Sequence, residues 1–220
     1  MPESKCFNFW DAHYARGGTS GDGSVGEHRE WKWSVVERFA DQVDDVVDVA
    51  CGDLSFWEGR DCMQYTGIDI SPTIIERNRK TRPHWQFILA NAADPQQVKG
   101  RIVFCFDLLF HIMDDEIYTN ILQNLTRYSA EWIFIFTWKK NHLTYWKTRV
   151  RESYTHLRKL QPFRAVWILM GTTTDYRYQT YRDFNQYVTL FESAGFDLHA
   201  VCDDSPNPWG AMYVFRKRTG

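Results

Sequence analysis

Apolar residues recur along this chain in short runs separated by longer amphipathic stretches. Residues 46–50, VVDVA, form the first run, and their β-branched content predicts a buried strand. Residues 65–70, 85–89, 101–106 and 132–137 predict four more strands. Between the strands the apolar period lengthens. Ser71-Pro72 opens a helix that runs to about Lys80, with the proline in the first turn, where its missing N–H is not needed. Residues 114–128 place Ile117, Ile121, Leu122 and Leu125 on one helical stripe. Strands separated by helices of this length predict a parallel sheet with helices on both faces, an α/β three-layer arrangement.

The C-terminal pattern differs. Residues 181–194 predict a helix stopped by Gly195, followed by strands over 196–202 and 211–218. The turn-rich DDSPNPWG between them leaves no room for a helix, so the last two strands pair antiparallel. Residues 139–177 are long, aromatic and basic, and predict a helix plus a strand-like piece inserted after the fifth strand. Residues 17–26, GGTSGDGSVG, hold five glycines and predict no regular element. They suit a flexible leader, or a loop folded over a ligand, because aromatic FNFWDAHY precedes them and amphipathic EHREWKWSVVERFA follows. No repeat or linker divides residues 1–220, which predicts one domain.

Composition narrows the function. The 44% hydrophobic and 25% charged content is that of a globular protein. Ten tryptophans are more large rings than a core of this size needs, so some are expected to line a pocket. A net charge of −2 gives no general attraction to a phosphate backbone. The basic run through Lys147, Arg149, Arg151, Arg158 and Lys159 reads as a solvated helix face. The longest apolar run, residues 165–170, is too short to span a bilayer, and residues 1–10 lack a signal-peptide pattern. A cytoplasmic location is expected. Five cysteines, none in a CxxC pair, predict reduced thiols, several of them buried. No histidine and carboxylate cluster has ligand spacing, so no metal is expected.

The candidate chemistry centres on VVDVACGDLS, residues 46–55. An acid, Asp48, sits in a strand that enters a tight small-residue turn, where backbone N–H groups approach a ligand closely. A carboxylate there repels a pyrophosphate, as nicotinamide cofactors carry, and favours a cationic amino group. Asp69, at the tip of the second strand in GIDIS, is placed to accept both hydroxyls of a ribose. The two acids and the turn together describe a site for a nucleoside carrying an amino acid. Singly, Asp48 also suits a strand-end cap, and Asp69 a cap for the helix at Pro72. His111 follows the fourth strand, as a general base or a structural residue. Asp107 competes for the same role, or supports the turn. Tyr176, Arg177, Tyr178, Tyr181 and Arg182 form a solvated edge or hold a polar or anionic acceptor.

VVDVACGD followed by YTGIDIS resembles motif I and the following acidic motif of class I S-adenosylmethionine-dependent methyltransferases. The resemblance continues through FILANAADP, FCFDLLFHIMDDE and WIFIFTW, and covers roughly residues 30–137 and 181–218. FWDAHYARGGTSGDGSVG with LLFHIMDDEIY resembles a narrower bacterial-type subgroup with a glycine-serine N-terminal motif and mostly undefined substrates. The resemblance implies a Rossmann-like sandwich, with a mostly parallel seven-stranded sheet ending in an antiparallel hairpin. It implies S-adenosylmethionine as cofactor, with Asp48 near the methionine amino group and Ala50, Cys51 and Gly52 in the turn beneath it. Asp69 then holds the ribose, Ile70 packs on the adenine, Asn91 and Ala92 meet the adenine edge, and Phe106 and Asp107 lie beside the methyl group. This chain departs from the family at Ala50 and Leu54, where glycine is usual or frequent, and at Asn91, where aspartate is common. The change at Ala50 is mild unless φ there is positive.

The expected reaction is methyl transfer to oxygen or nitrogen of a small molecule or sugar. Asp107 and His111 are the candidate catalytic residues. Residues 1–27 are expected to cover the cofactor as a loop, with Tyr14 and Ser24 near it. Residues 138–181 are expected to wall the acceptor site, with Tyr178 and Arg182 meeting the acceptor. One alternative is a nucleic-acid methyltransferase, against which FDLL at the fourth strand lacks the Asn/Asp-Pro-Pro-aromatic signature. The other is an inactive cofactor-binding domain, which Ala50 and Leu54 keep open.

Overall fold

The structure, a computed structural model, describes residues 3–140 and 179–219, together with positions 150, 153, 154, 157, 162, 163, 166 and 169. Seven strands form one sheet: β1 (Asp45–Val49), β2 (Gln64–Asp69), β3 (Gln86–Leu89), β4 (Gly100–Phe106), β5 (Ser129–Trp138), β6 (Phe196–Cys202) and β7 (Gly210–Lys217). Their order is β3-β2-β1-β4-β5-β7-β6. The pairs among β1 to β5 are parallel, and β7 lies antiparallel between β5 and β6. This is the Rossmann-like sheet with a closing antiparallel hairpin that the hydrophobic pattern and the resemblance together imply.

Period-2 alternation splits the strands between two cores. Ile102 and Phe104 of β4, with Trp132, Phe134 and Phe136 of β5, face one side. Val103, Cys105, Ile133 and Ile135 face the other. Against the first side pack α2 (Gly26–Phe39) and α3 (Pro72–Thr81); against the second pack α4 (Asp115–Tyr128) and α5 (Val188–Ser193). The first side is aromatic: Trp33 stacks on Phe56 at 4.6 Å, and Tyr65 on Trp85 at 4.2 Å. Most of the buried tryptophans thus fill this core. Burying one such ring contributes roughly 1.5–3 kcal/mol of apolar transfer. Cys51, Cys62, Cys105 and Cys202 are free and buried. Among the described residues no helix is long and apolar enough to cross a membrane.

The helix starts follow capping chemistry. The Ser71 hydroxyl accepts from Ile74 N, with Pro72 in the first turn of α3. The Asp114 carboxylate accepts from Glu116 N and Ile117 N at the start of α4.

Two expectations are corrected. The single helix over 181–194 is a 3-10 turn, Phe184–Tyr187, followed by the short α5. Asp183 caps that turn by accepting from Asn185 N, and Phe184 is buried against Tyr213 with ring centroids 4.5 Å apart. Asp183, the cap, has extended backbone (φ −70°, ψ 101°), so the helical path does not extend back to Arg182. The N-terminal segment is not a loop throughout, because residues Glu3–Ala15 form α1. Trp10 and Tyr14 are one turn apart on α1, and Asp11 accepts from Ser71 Oγ at 2.7 Å and Thr73 N at 3.1 Å. The helix is thereby seated on the start of α3. The loop proper spans residues 16–25 and contains one 3-10 turn, Asp22–Ser24.

Candidate functional site

Chain order reverses beside β1, since β2 and β3 lie on one side of it and β4 and β5 on the other. Such a switch point opens a crevice beyond the carboxyl ends of the strands. Here it is a cavity of about 930 Å³, its open mouth included.

The turn after β1 forms its floor. Ala50 N and Cys51 N both donate to Ile68 O, at 2.8 and 3.1 Å. Ala50, Gly52 and Leu54 have φ of 63°, 55° and 63°. Two of these three left-handed positions therefore carry a Cβ, which is unfavourable there. The departure from glycine at Ala50 falls where it matters. Gly52 is required on its own account, because an added Cβ would collide with Ser20 Oγ.

Asp69 holds the turn, and Asp48 is held from behind it. Gly52 N donates to Asp69 Oδ2 and Ser71 N to Asp69 Oδ1, both at 3.0 Å. Asp69 thus joins the β1 turn to the start of α3 while its side chain lines the cavity. Asp48 Oδ2 accepts from Trp57 Nε1 and from the Tyr65 hydroxyl, both at 2.9 Å. Burial outweighs these two donors and pushes the Asp48 carboxyl up to about 6. Burial also raises Asp69, against the pull of its backbone donors.

Ser20 and Ser24 of the N-terminal loop also line the cavity. Ser20 N donates to Asp53 Oδ2 at 3.0 Å, and Asp53 N donates to Ser20 Oγ at 2.9 Å. Burial opposes ionisation of Asp53, but the bonds from Ser20 and Ser55 prevail and hold its carboxyl below the ordinary value. Tyr14 OH lies 3.3 Å from Ser20 Oγ, and burial together with nearby Asp69 keeps that phenol protonated. Further along, the Lys32 ammonium bonds to Gly23 O at 2.8 Å and pairs with the Asp107 carboxylate.

All the proposed cofactor residues line this one cavity: Tyr14 and Ser24 from the N-terminal segment, Asp48, Ala50, Cys51 and Gly52 from β1 and its turn, Asp69 and Ile70 after β2, Asn91 and Ala92 after β3, and Phe106 from β4. The Asn91 Oδ1 is engaged by Ala93 N at 3.0 Å. Asp107 and His111 line it too. His111 ends a 3-10 turn, Leu109–His111, and its ring stands edge-on to Trp10 with centroids 5.2 Å apart. Asp107 has φ of 57° and donates its N–H to Phe136 O at 3.2 Å.

Arg182, expected to meet the acceptor, is not among the residues that line this cavity. Its guanidinium bonds to Ile112 O, Met113 O and Asp115, and lies 4.6 Å from the Tyr118 ring centroid. Its fork is used to hold the segment that follows His111. Tyr178 and most of the insertion at 138–181 lie outside the described residues. Sequence reading missed Trp10, Ser20, Phe56 and Lys32. The serine inside a glycine run was a usable signal for Ser20; a lysine in WKW reads as solvent-facing, yet Lys32 is 1% exposed.

No family model and no curated protein matches this sequence. Solved structures do match its fold. Magnesium protoporphyrin IX methyltransferase (ChlM) from Synechocystis PCC 6803 with bound SAH aligns with a TM-score of 0.67 at 15% identity, over 98% of this chain and 100% of that one. The same protein with bound SAM aligns at 0.60 and 13% identity, over 97% of each chain. A TehB-like SAM-dependent methyltransferase from Corynebacterium glutamicum aligns at 0.57 and 11% identity, over 98% and 100%. The N-methyltransferase NodS from Bradyrhizobium japonicum aligns at 0.57 and 11% identity, over 90% and 99%. At these identities the likeness is one of fold: this chain has the Rossmann-like α/β sandwich of these methyltransferases, hairpin included.

Proposed function

We propose that this chain is an S-adenosylmethionine-dependent methyltransferase that transfers a methyl group to oxygen or nitrogen of a small molecule or saccharide. The observation that carries this reading is the placement of Asp48 and Asp69 on either side of one left-handed turn, in one cavity. The residues fit the cofactor. A carboxylate offers about four lone-pair sites, so Asp69 retains capacity for ribose hydroxyls beyond its two backbone donors. Asp48 is a buried acid raised by desolvation, and an arriving ammonium would offset that penalty. The bound SAH and SAM of the ChlM structures support the same choice of cofactor.

When bound, the cofactor supplies an electrophilic methyl group on a sulfonium. The protein aligns, shields and removes a proton. Trp10, Phe56 and Phe106 exclude water along the cavity. Asp107 is tied by the Lys32 ammonium, so it serves as a positioning group, and the acceptor's proton passes to His111. Residues 16–25 cover the cofactor, and the insertion at 138–181 walls the acceptor, in a cytoplasmic enzyme of the glycine-serine subgroup.

Calorimetric titration with S-adenosylhomocysteine tests this reading. The wild type binds, and Asp69→Ala weakens binding by roughly 1–3 kcal/mol through the lost charge-assisted bonds. A folded wild type that does not bind removes the proposal. Binding without methyl transfer to any of a set of amine, hydroxyl and phenol acceptors would leave a cofactor-binding domain.

A further inference from the structure

Lys32 stands between two cavities. Its ammonium lies 4.4 Å from the Phe136 ring centroid and 5.4 Å from that of Phe106, and it bonds to Gly23 O and Asp107. Asp107 and Phe106 line the candidate-site cavity, whereas Lys32, His28 and Phe136 line a second one. A buried ammonium without an anion is strongly unfavourable, so Lys32 and Asp107 hold each other. An added Cβ at Gly23 would collide with the Asp107 carboxylate, so the loop, the lysine and the aspartate form one packed unit.

The consequence is electrostatic. Asp48, Asp69 and Asp107 all line the candidate-site cavity. An uncompensated Asp107 would bind any cation there more tightly than its neutral counterpart. Lys32, in contact with that carboxylate, replaces a full charge by a dipole whose field falls off faster. Methyl transfer turns a cationic sulfonium into a neutral thioether. An unbalanced carboxylate beside the sulfonium would stabilise the starting state more than the transition state, which raises the barrier.

We propose that Lys32 is a charge-compensating positioning residue: by neutralising Asp107 it keeps the cavity from holding the sulfonium form of the cofactor over the thioether form. This inference rests on the methyltransferase reading above. It concerns a ratio of affinities, so it is separable from that reading and from simple loosening of the loop, which weakens both ligands alike.

The test is the ratio of the Kd for S-adenosylhomocysteine to the Kd for S-adenosylmethionine, measured by calorimetry on folded variants. Lys32→Met should raise the ratio by about tenfold, because Asp107 is left unbalanced. Asp107→Asn should lower it, by a smaller factor, because Lys32 is left unbalanced but stands outside the cavity that Asp107 lines. Lys32→Arg, which keeps the charge, and the double variant Lys32→Met with Asp107→Asn should both stay near the wild-type ratio. If Lys32→Met does not fold, Asp107→Asn alone decides. An unchanged ratio in the folded single variants overturns the inference while cofactor binding stands. A wild type that binds neither ligand removes the function and the inference together.

Discussion

The Tyr65 hydroxyl on β2 donates to Asp48 Oδ2 on β1 at 2.9 Å. The bond spans two neighbouring parallel strands and is fully buried, with the Trp57 indole donating to the same oxygen. It fixes where the carboxylate points before any ligand arrives.

The protonation of Asp48 follows from that burial. Its folded value is about 6, against an ordinary value of 3.8. Between these values the folded state binds more protons than the unfolded state. The stabilisation is therefore full below the unfolded value and is lost as pH rises through about 6. Asp48→Asn should be close to wild type in stability near pH 4 and more stable by roughly 2 kcal/mol near pH 8. Urea denaturation at the two pH values checks this, and a pH-independent difference contradicts it.

Ala50 occupies a left-handed position at φ 63°. Ala50→Gly relieves the strain but gives the unfolded chain more freedom, for a net gain of up to about 1 kcal/mol. Leu54 has the same φ but is 7% exposed, so Leu54→Gly should destabilise, by roughly 2 kcal/mol. Thermal melts of the two variants should move in opposite directions.

The loop over the cavity is held by the reciprocal Ser20 and Asp53 pair. Ser20→Ala removes the bond to Asp53 N and loses about 1 kcal/mol of local stability. Amide exchange over residues 17–25 should quicken while the β4 and β5 amides are unaffected. Added S-adenosylhomocysteine should slow it again. Exchange that is identical in variant and wild type would remove the latch.

Arg182 braces the segment after His111 through Ile112 O, Met113 O and Asp115. Arg182→Ala should lower stability by roughly 1–2 kcal/mol, since two half-buried carbonyls lose a charged donor. Lysine at this position should not restore it, because one ammonium cannot reproduce the fork. A kinetic readout separates this role from acceptor binding: in the bracing role kcat falls with little change in acceptor KM. A raised KM with normal stability would return Arg182 to the acceptor site.

Legibility in the sequence tracked the range of the interaction. The seven strands were visible because each buried face is written in consecutive residues, such as IVFCF of β4 or WIFIF of β5. The Asp48, turn and Asp69 grouping was visible because β1, its turn and β2 are contiguous in sequence. The C-terminal helix was over-extended although Asp183, which caps the 3-10 turn through Asn185 N, is a local start signal within residues 181–194.

By itself the sequence determined the alternation of strands and helices, the antiparallel ending and the residues of the crevice floor. Hydrophobic period and turn chemistry act between near neighbours, and these features depend on nothing else. Only the tertiary structure decided that Lys32 meets Asp107, that Ser20 meets Asp53 and that Arg182 bonds to the segment after His111. Those partners lie 75, 33 and about 70 residues apart. A lysine in an amphipathic helix looks solvated until the rings of Phe106 and Phe136 and the carboxylate of Asp107 are brought around it by the folding of the sheet.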